Sequence, residues 1–228
     1  MNFAGRLATE APTPAGLLAI RVNPGSLMAA TVLLLGIQNL LLWRFLGFAP
    51  AWLYPVALAC FAGAALFLYR ANTPRWAGPE VRTIVLLGGA SLLIFLLGGE
   101  GRLFYANADW QIRDAVLRDL IINPWPFAYR QANSLELLRA PIGMFLIPAV
   151  AGKAFGAAAA DFALLIQNSL LLTLLLSLGS TLVAGARARV VTLTVIVLFS
   201  GMDIIGELLR ATATGSGLSH HLENWSGS

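Results

Sequence analysis

Residues 99–160 read GEGRLFYANADWQIRDAVLRDLIINPWPFAYRQANSLELLRAPIGMFLIPAVAGKAFGAAAA, and this stretch decides how the chain is organised. On either side of it the sequence consists of apolar runs with few charges. Within it and at its edge six acids (Glu100, Asp109, Asp114, Asp119, Glu136 and Asp161) meet six bases (Arg102, Arg113, Arg118, Arg130, Arg139 and Lys153). Apolar runs of bilayer length around one charged segment are the pattern of a polytopic membrane protein that gathers its polar chemistry in a single loop.

Composition agrees. With 58% hydrophobic and 11% charged residues the chain is too apolar for an ordinary soluble domain. Its net charge of +4 does not call for a nucleic-acid partner, because the bases stand at the ends of apolar runs and form no patch. Cys60 is the single cysteine, which excludes an intrachain disulfide and a cysteine metal site. Residues 1–25 lack the basic-then-apolar order of a signal peptide and read as a cytoplasmic lead-in.

A helix needs roughly 20 apolar residues to cross the hydrocarbon core. Five segments meet or approach this length: 26–48, 50–69, 83–99, 162–183 and 190–209. Segment 141–156 carries Pro141, Pro148 and Lys153 and reads as a re-entrant or interfacial helix. If it does not cross, Arg6, Arg21, Arg70, Arg75, Arg82, Arg187 and Arg189 all face the cytoplasm, while the charge-balanced loop 99–160 faces outward. The expectation is an all-α integral membrane protein with about five transmembrane helices, its N-terminus cytoplasmic. It divides into a transmembrane hairpin at 26–69, a portion at 83–209 holding the large loop, and an outward tail at 210–228.

Within the loop, Ile112, Val116 and Leu120 recur every four residues, with Trp110, Leu117 and Ile121 beside them. This spacing predicts an amphipathic helix over 109–122, lying on the membrane surface. Asp109–Arg113 and Asp114–Arg118 stand at i,i+4 with the acid first, the favourable order. Pro124 and Pro126 end the helix, and Trp125, Phe127 and Tyr129 suit interfacial anchors. Asp109 has two readings: an N-cap, for which Asn107 would also serve, or a carboxylate placed to act as a base or metal ligand. Asp203 and Glu207 lie i,i+4 near the end of the last apolar run, and His220, His221 and Glu223 follow. Histidine with carboxylate is metal-ligating chemistry, but this spacing matches no strong signature, and polar tail residues are the bland alternative.

Taken together, YANADWQIRDAVLRDLI followed by WPFAY, then PAVAGKAFG, FSGMDIIG and HHLENW resemble bacterial members of the GT-C class of integral-membrane glycosyltransferases. The likeness runs from about residue 83 to the end through short motifs. It implies membrane helices with outer-surface helices, a sugar donor on a polyprenyl phosphate, and a site at the outer face of the bacterial plasma (inner) membrane. It further implies that Asp109 assists deprotonation of the acceptor or binds a metal, with His220 and Glu223 as further site residues and a divalent ion, magnesium or manganese, as their common ligand. Arg102, Arg113 and Arg130 are in the right loop to meet the donor phosphate, though each is equally placed for a structural ion pair. GT-C enzymes have more membrane helices than this chain, and the hairpin 26–69 precedes the helix that is normally first. An N-terminal portion completed by another membrane chain is therefore expected. The alternative is a non-catalytic membrane subunit that scaffolds or anchors a larger complex. A small transporter is disfavoured by the lack of any internal repeat.

Overall fold

A computed structural model describes residues 18–47, 49–71, 78–103, 108–131, 134–136, 142–199, 212–213 and 215, with only the backbone at 108, 109, 130, 131, 134–136 and 197–199. The chain forms two compact units, Met1–Thr181 and Leu182–Ser228.

The first unit opens with a helical hairpin. Helix α1 (Pro24–Leu46) starts where Asn23 accepts the Gly25 N–H at 2.9 Å, with proline in the first turn, and stops at left-handed Gly47. Helix α2 (Leu53–Arg70) returns along it. Two glycines set their close approach: a Cβ on Gly36 would stand 2.7 Å from the Phe61 ring, and one on Gly25 2.4 Å from the Leu68 carbonyl oxygen.

Helix α3 (Val81–Leu97) is tied to the start of α1 by a short bridge. Val22 N–H donates to the Pro79 carbonyl and Val81 N–H to that of Ile20, both at 2.9 Å. Glu80 draws Arg82 (2.5 Å) and Arg21 (3.8 Å) to the same place. The beginnings of α1 and α3 therefore lie at one end of the unit, together with the end of α2, where Asn23 reaches the Tyr69 carbonyl. Helix α6 (Ala157–Gly179) runs antiparallel to α3, with Gly88 facing Thr173 and Gly101 facing Leu165.

At the opposite end sit the elements built from the charged stretch. A 3-10 turn (Glu100–Arg102) leads to helix α4 (Ala108–Ile122) and then to two three-residue strands, β1 (Tyr129–Gln131) and β2 (Ser134–Glu136). The strands pair antiparallel, Tyr129 opposite Glu136 and Gln131 opposite Ser134. Helix α5 (Gly143–Phe155) follows and passes at Gly156 (φ 94°) straight into α6. The core lies where these elements meet: Phe45 of α1, Trp110, Val116, Leu117 and Leu120 of α4, Phe145, Leu146 and Ala149 of α5, Ala160 and Leu164 of α6. Trp125 and Phe127 close edge-on around Phe45, at 6.0 and 5.4 Å between ring centroids.

Among the described residues three helices, α1, α2 and α6, are long and apolar enough to cross a membrane. They correspond to the expected segments 26–48, 50–69 and 162–183. Segment 83–99 forms α3, apolar but 17 residues long, about 26 Å at 1.5 Å per residue. Segment 190–209 falls partly on helix α7 (Ala186–Phe199) of the second unit and partly outside the described residues. The outer faces of α2 and α3 carry Phe67 (71% exposed), Leu86 (73%) and Val85 (59%). Faces so apolar suit contact with lipid.

The prolines and charge of 141–156 do give a short helix, 13 residues in α5, with Leu146 and Ala149 fully buried. The surface helix 109–122 is present as α4. Of its apolar stripe, Trp110, Val116, Leu117 and Leu120 are buried within the protein, while Ile112 is 67% exposed. The β1–β2 hairpin was not expected; strands of three residues are too short for a period-2 pattern to register.

Candidate functional site

Helix α4 and the first turns of α6 form the walls of an open cleft of about 980 Å³. Arg102, Gln111, Asp114, Arg118, Asp119 and Asp161 contribute its polar lining, over an apolar floor that includes Leu117 and Ile121.

Arg102 reaches the cleft because of a left-handed turn. Gly99 (φ 98°), Gly101 (φ 77°) and Arg102 itself (φ 57°) all adopt positive φ. The first two are glycines, for which this is cheap; Arg102 is not, and it is held there by the turn. A Cβ on Gly101 would come within 3.1 Å of Leu165, so the same glycine also lets the turn lie against α6. The result is a reversal: Glu100 goes inward and Arg102 outward.

Arg102 Nε stands 3.3 Å from Asp114 Oδ2. The expected Asp114–Arg118 pair is thereby replaced, because the turn brings Arg102 closer than α4 brings its own Arg118. Arg118 has no ion-pair partner among the described residues. Asp119 accepts the Tyr129 hydroxyl at 2.5 Å. Burial, and then that bond and the Asp119 charge, push the phenol up to about 12, so Tyr129 stays a donor throughout the physiological range. The end of α4 is secured by Lys153 of α5, whose ammonium donates to the carbonyls of Ile121 (2.9 Å) and Asn123 (2.6 Å) and lies over the Trp125 ring.

Of the residues the sequence singled out, Arg102 lines the cleft. Arg113 lies over the Trp110 ring at 5.1 Å, a cation–π contact that the i,i+4 pairing with Asp109 did not foresee. Asp109 lies in the first turn of α4; its side chain is outside the described residues, as is that of Arg130 in β1. His220, Glu223, Asp203 and Glu207 also lie outside the described residues. Among the described residues no three of His, Cys, Asp and Glu converge where a metal ion would sit. Asp114, the acid best placed in the cleft, is engaged by Arg102.

Sequence reasoning passed over a buried polar group directly behind the cleft. Glu100 is 3% exposed and accepts from Asn168 Nδ2 of α6 at 2.8 Å. Gln167 donates to the Met144 carbonyl at 2.8 Å, which ties α6 to α5. Burial raises the Glu100 carboxyl from 4.5 to about 7, against the lowering effects of the Asn168 bond and the Arg113 charge. Adjacent amides in the middle of the leucine-rich run of α6 were the available signal, because lipid offers such groups no partner.

No protein-family model, curated protein or solved structure matches the chain. What the arrangement can do rests on its own chemistry. It offers two guanidinium groups to an anion, carboxylates beside them, and a cleft next to a helix of membrane length.

Proposed function

We propose that this chain is the GT-C-like part of a membrane glycosyltransferase, taking its sugar from a polyprenyl-phosphate donor at the outer face of a bacterial plasma membrane. The observation that carries this reading is the cleft of α4 and α6, where Arg102 and Arg118, the latter without an ion-pair partner among the described residues, line an open space of about 980 Å³ beside membrane-length α6. A lipid-linked donor needs that combination: tail among apolar helices, phosphate against fixed cations, sugar facing water. In this reading α3 and α7 also cross the bilayer. That makes five crossings, with Arg21 and Arg82 at the cytoplasmic end and α4 at the outer surface, and a partner membrane chain completes the active unit.

The reaction is a displacement at the anomeric carbon. A carboxylate, for which Asp109 is the candidate, takes the proton of the acceptor hydroxyl as the new glycosidic bond forms. The bond from the anomeric carbon to the phosphate oxygen breaks, and the arginines stabilise the departing polyprenyl phosphate.

Binding of undecaprenyl phosphate to the full chain in lipid nanodiscs tests the reading. Replacing both Arg102 and Arg118 by Gln is expected to weaken binding about tenfold or more, equivalent to about 1.4 kcal/mol. Asp109→Asn is expected to leave binding intact and to abolish transfer from a polyprenyl-phosphate hexose in the complete assembly. Unchanged affinity in the double arginine variant would remove the cleft from the mechanism.

A further inference from the structure

The turn at Gly99–Arg102 places Glu100 between α3 and α6, where its two oxygens are treated unequally. Oε1 accepts from Asn168, while Oε2 is buried with no hydrogen-bond partner. One residue away, Gln167 is 4% exposed; it spends its amide group on Met144 and, at 3.4 Å, on Asn168 Oδ1, and its own Oε1 is buried and unpartnered. The linked side chains Glu100, Asn168 and Gln167 thus leave two enclosed acceptors without a donor. The charged groups around Glu100 are Arg113 on α4, set over Trp110, the Arg102–Asp114 pair in the cleft, and Asp161, two turns before Asn168 on the same face of α6. From α3, the uncharged Ser91 is buried.

An ionised carboxylate in this place would hold a full charge in an enclosed site with one oxygen unsatisfied, which disfavours the charged form. A proton removes the charge and turns Oε2 from an orphaned acceptor into a donor. A metal cation fits less well. Asn168 presents its NH₂, and not its carbonyl, to the carboxylate, and hard cations gather about six or more oxygens.

We propose that Glu100 is a proton-binding site that holds its proton in the resting protein, and that release of this proton loosens the turn carrying Arg102 into the cleft. Glu100 anchors one end of a three-residue turn whose other end is Arg102, with Gly101 alone between them and packed against Leu165 of α6. Deprotonation makes the anchor expel itself toward water, and the turn must follow. The inference does not rest on glycosyl transfer, since its test contains no substrate.

The test uses the full chain in lipid bilayers. Infrared difference spectra between about pH 5 and about pH 9 are expected to show the carbonyl stretch of a buried carboxylic acid, present at the lower pH and absent from E100Q. A nitroxide on a cysteine at Leu103, with Cys60 replaced by Ala, is expected to gain mobility over the same pH interval, and E100Q is expected to abolish that gain. Leu103 is 56% exposed, so the label meets no core contact. Should E100Q not insert, N168L provides the second arm: it removes the one donor to the carboxylate, so the midpoint of the carboxyl band is expected to move to higher pH. A missing carboxylic-acid band, a label whose mobility ignores pH, or a midpoint in N168L that stays or falls would each overturn the proposal.

Discussion

At the scale of single residues, Glu100 and Arg102 show how one turn gives neighbouring charges opposite environments. Arg102 is well exposed, and its pair with Asp114 contributes little stability, about 0–1 kcal/mol. Glu100 is enclosed, and its raised pKa is a stability statement. In the unfolded chain its carboxyl ionises near 4.5; in the folded protein it does so near 7. Between these values the folded state binds more proton, so stability is greatest below the lower value and falls as pH rises to the upper one. The expected loss is on the order of 3 kcal/mol across that interval. Thermal unfolding in mild detergent is expected to show a melting temperature that declines through this window in the parent, with a flatter profile in Glu100→Gln. An equal decline in the variant would assign the pH dependence to other groups.

At the scale of elements, the packing of α4, α5 and α6 depends on Gly152. A Cβ there would stand 2.6 Å from Ile121 Cδ1 and 3.0 Å from the Ala160 Cβ. The isoleucine tip can move, but the alanine on α6 cannot. Gly152→Ala is therefore expected to destabilise by about 1–3 kcal/mol, and adding Ile121→Ala should recover part of that loss, as measured by denaturation of the two single variants and the double. Lys153, one residue on, serves the same junction by closing the end of α4. Because the lysine is exposed, Lys153→Met is expected to cost only about 1 kcal/mol. Hydrogen exchange should locate that loss at Leu120–Asn123 and leave α6 unaffected; uniform loss of protection would mean the lysine supports more than this helix end.

At the scale of the whole molecule, the bridge joining Arg21 to Glu80 and the aromatic closure of Phe45 on Trp125 and Phe127 fix which ends of the first unit lie together. The turn between α1 and α2 lies on the side of α4, and the start of α3 lies opposite. In a Cys60→Ala background, cysteines placed at Ala51 and Ile112 are expected to react with an impermeant maleimide from one side of the membrane. A cysteine at Arg82 should react from the other. Labelling of positions 82 and 112 from the same side would contradict an α3 that crosses.

The sequence by itself determined the elements whose signal is local. Long apolar runs became α1, α2 and α6, since lipid leaves a backbone no partner except itself. The period-four pattern and the two prolines located α4 and its end. Which residues of its apolar stripe are covered by protein, Trp110, Val116, Leu117 and Leu120 but not Ile112, depends on how the neighbouring helices pack against it. The sequence could not tell that Asp114 pairs with Arg102 and not with Arg118, since the choice depends on three positive φ angles at Gly99, Gly101 and Arg102. Only the tertiary structure joined Glu100 to Asn168, 68 residues apart. In sequence one is a loop acid and the other a polar residue in an apolar run. Their meaning comes from burial, and burial is decided by which helices pack against which.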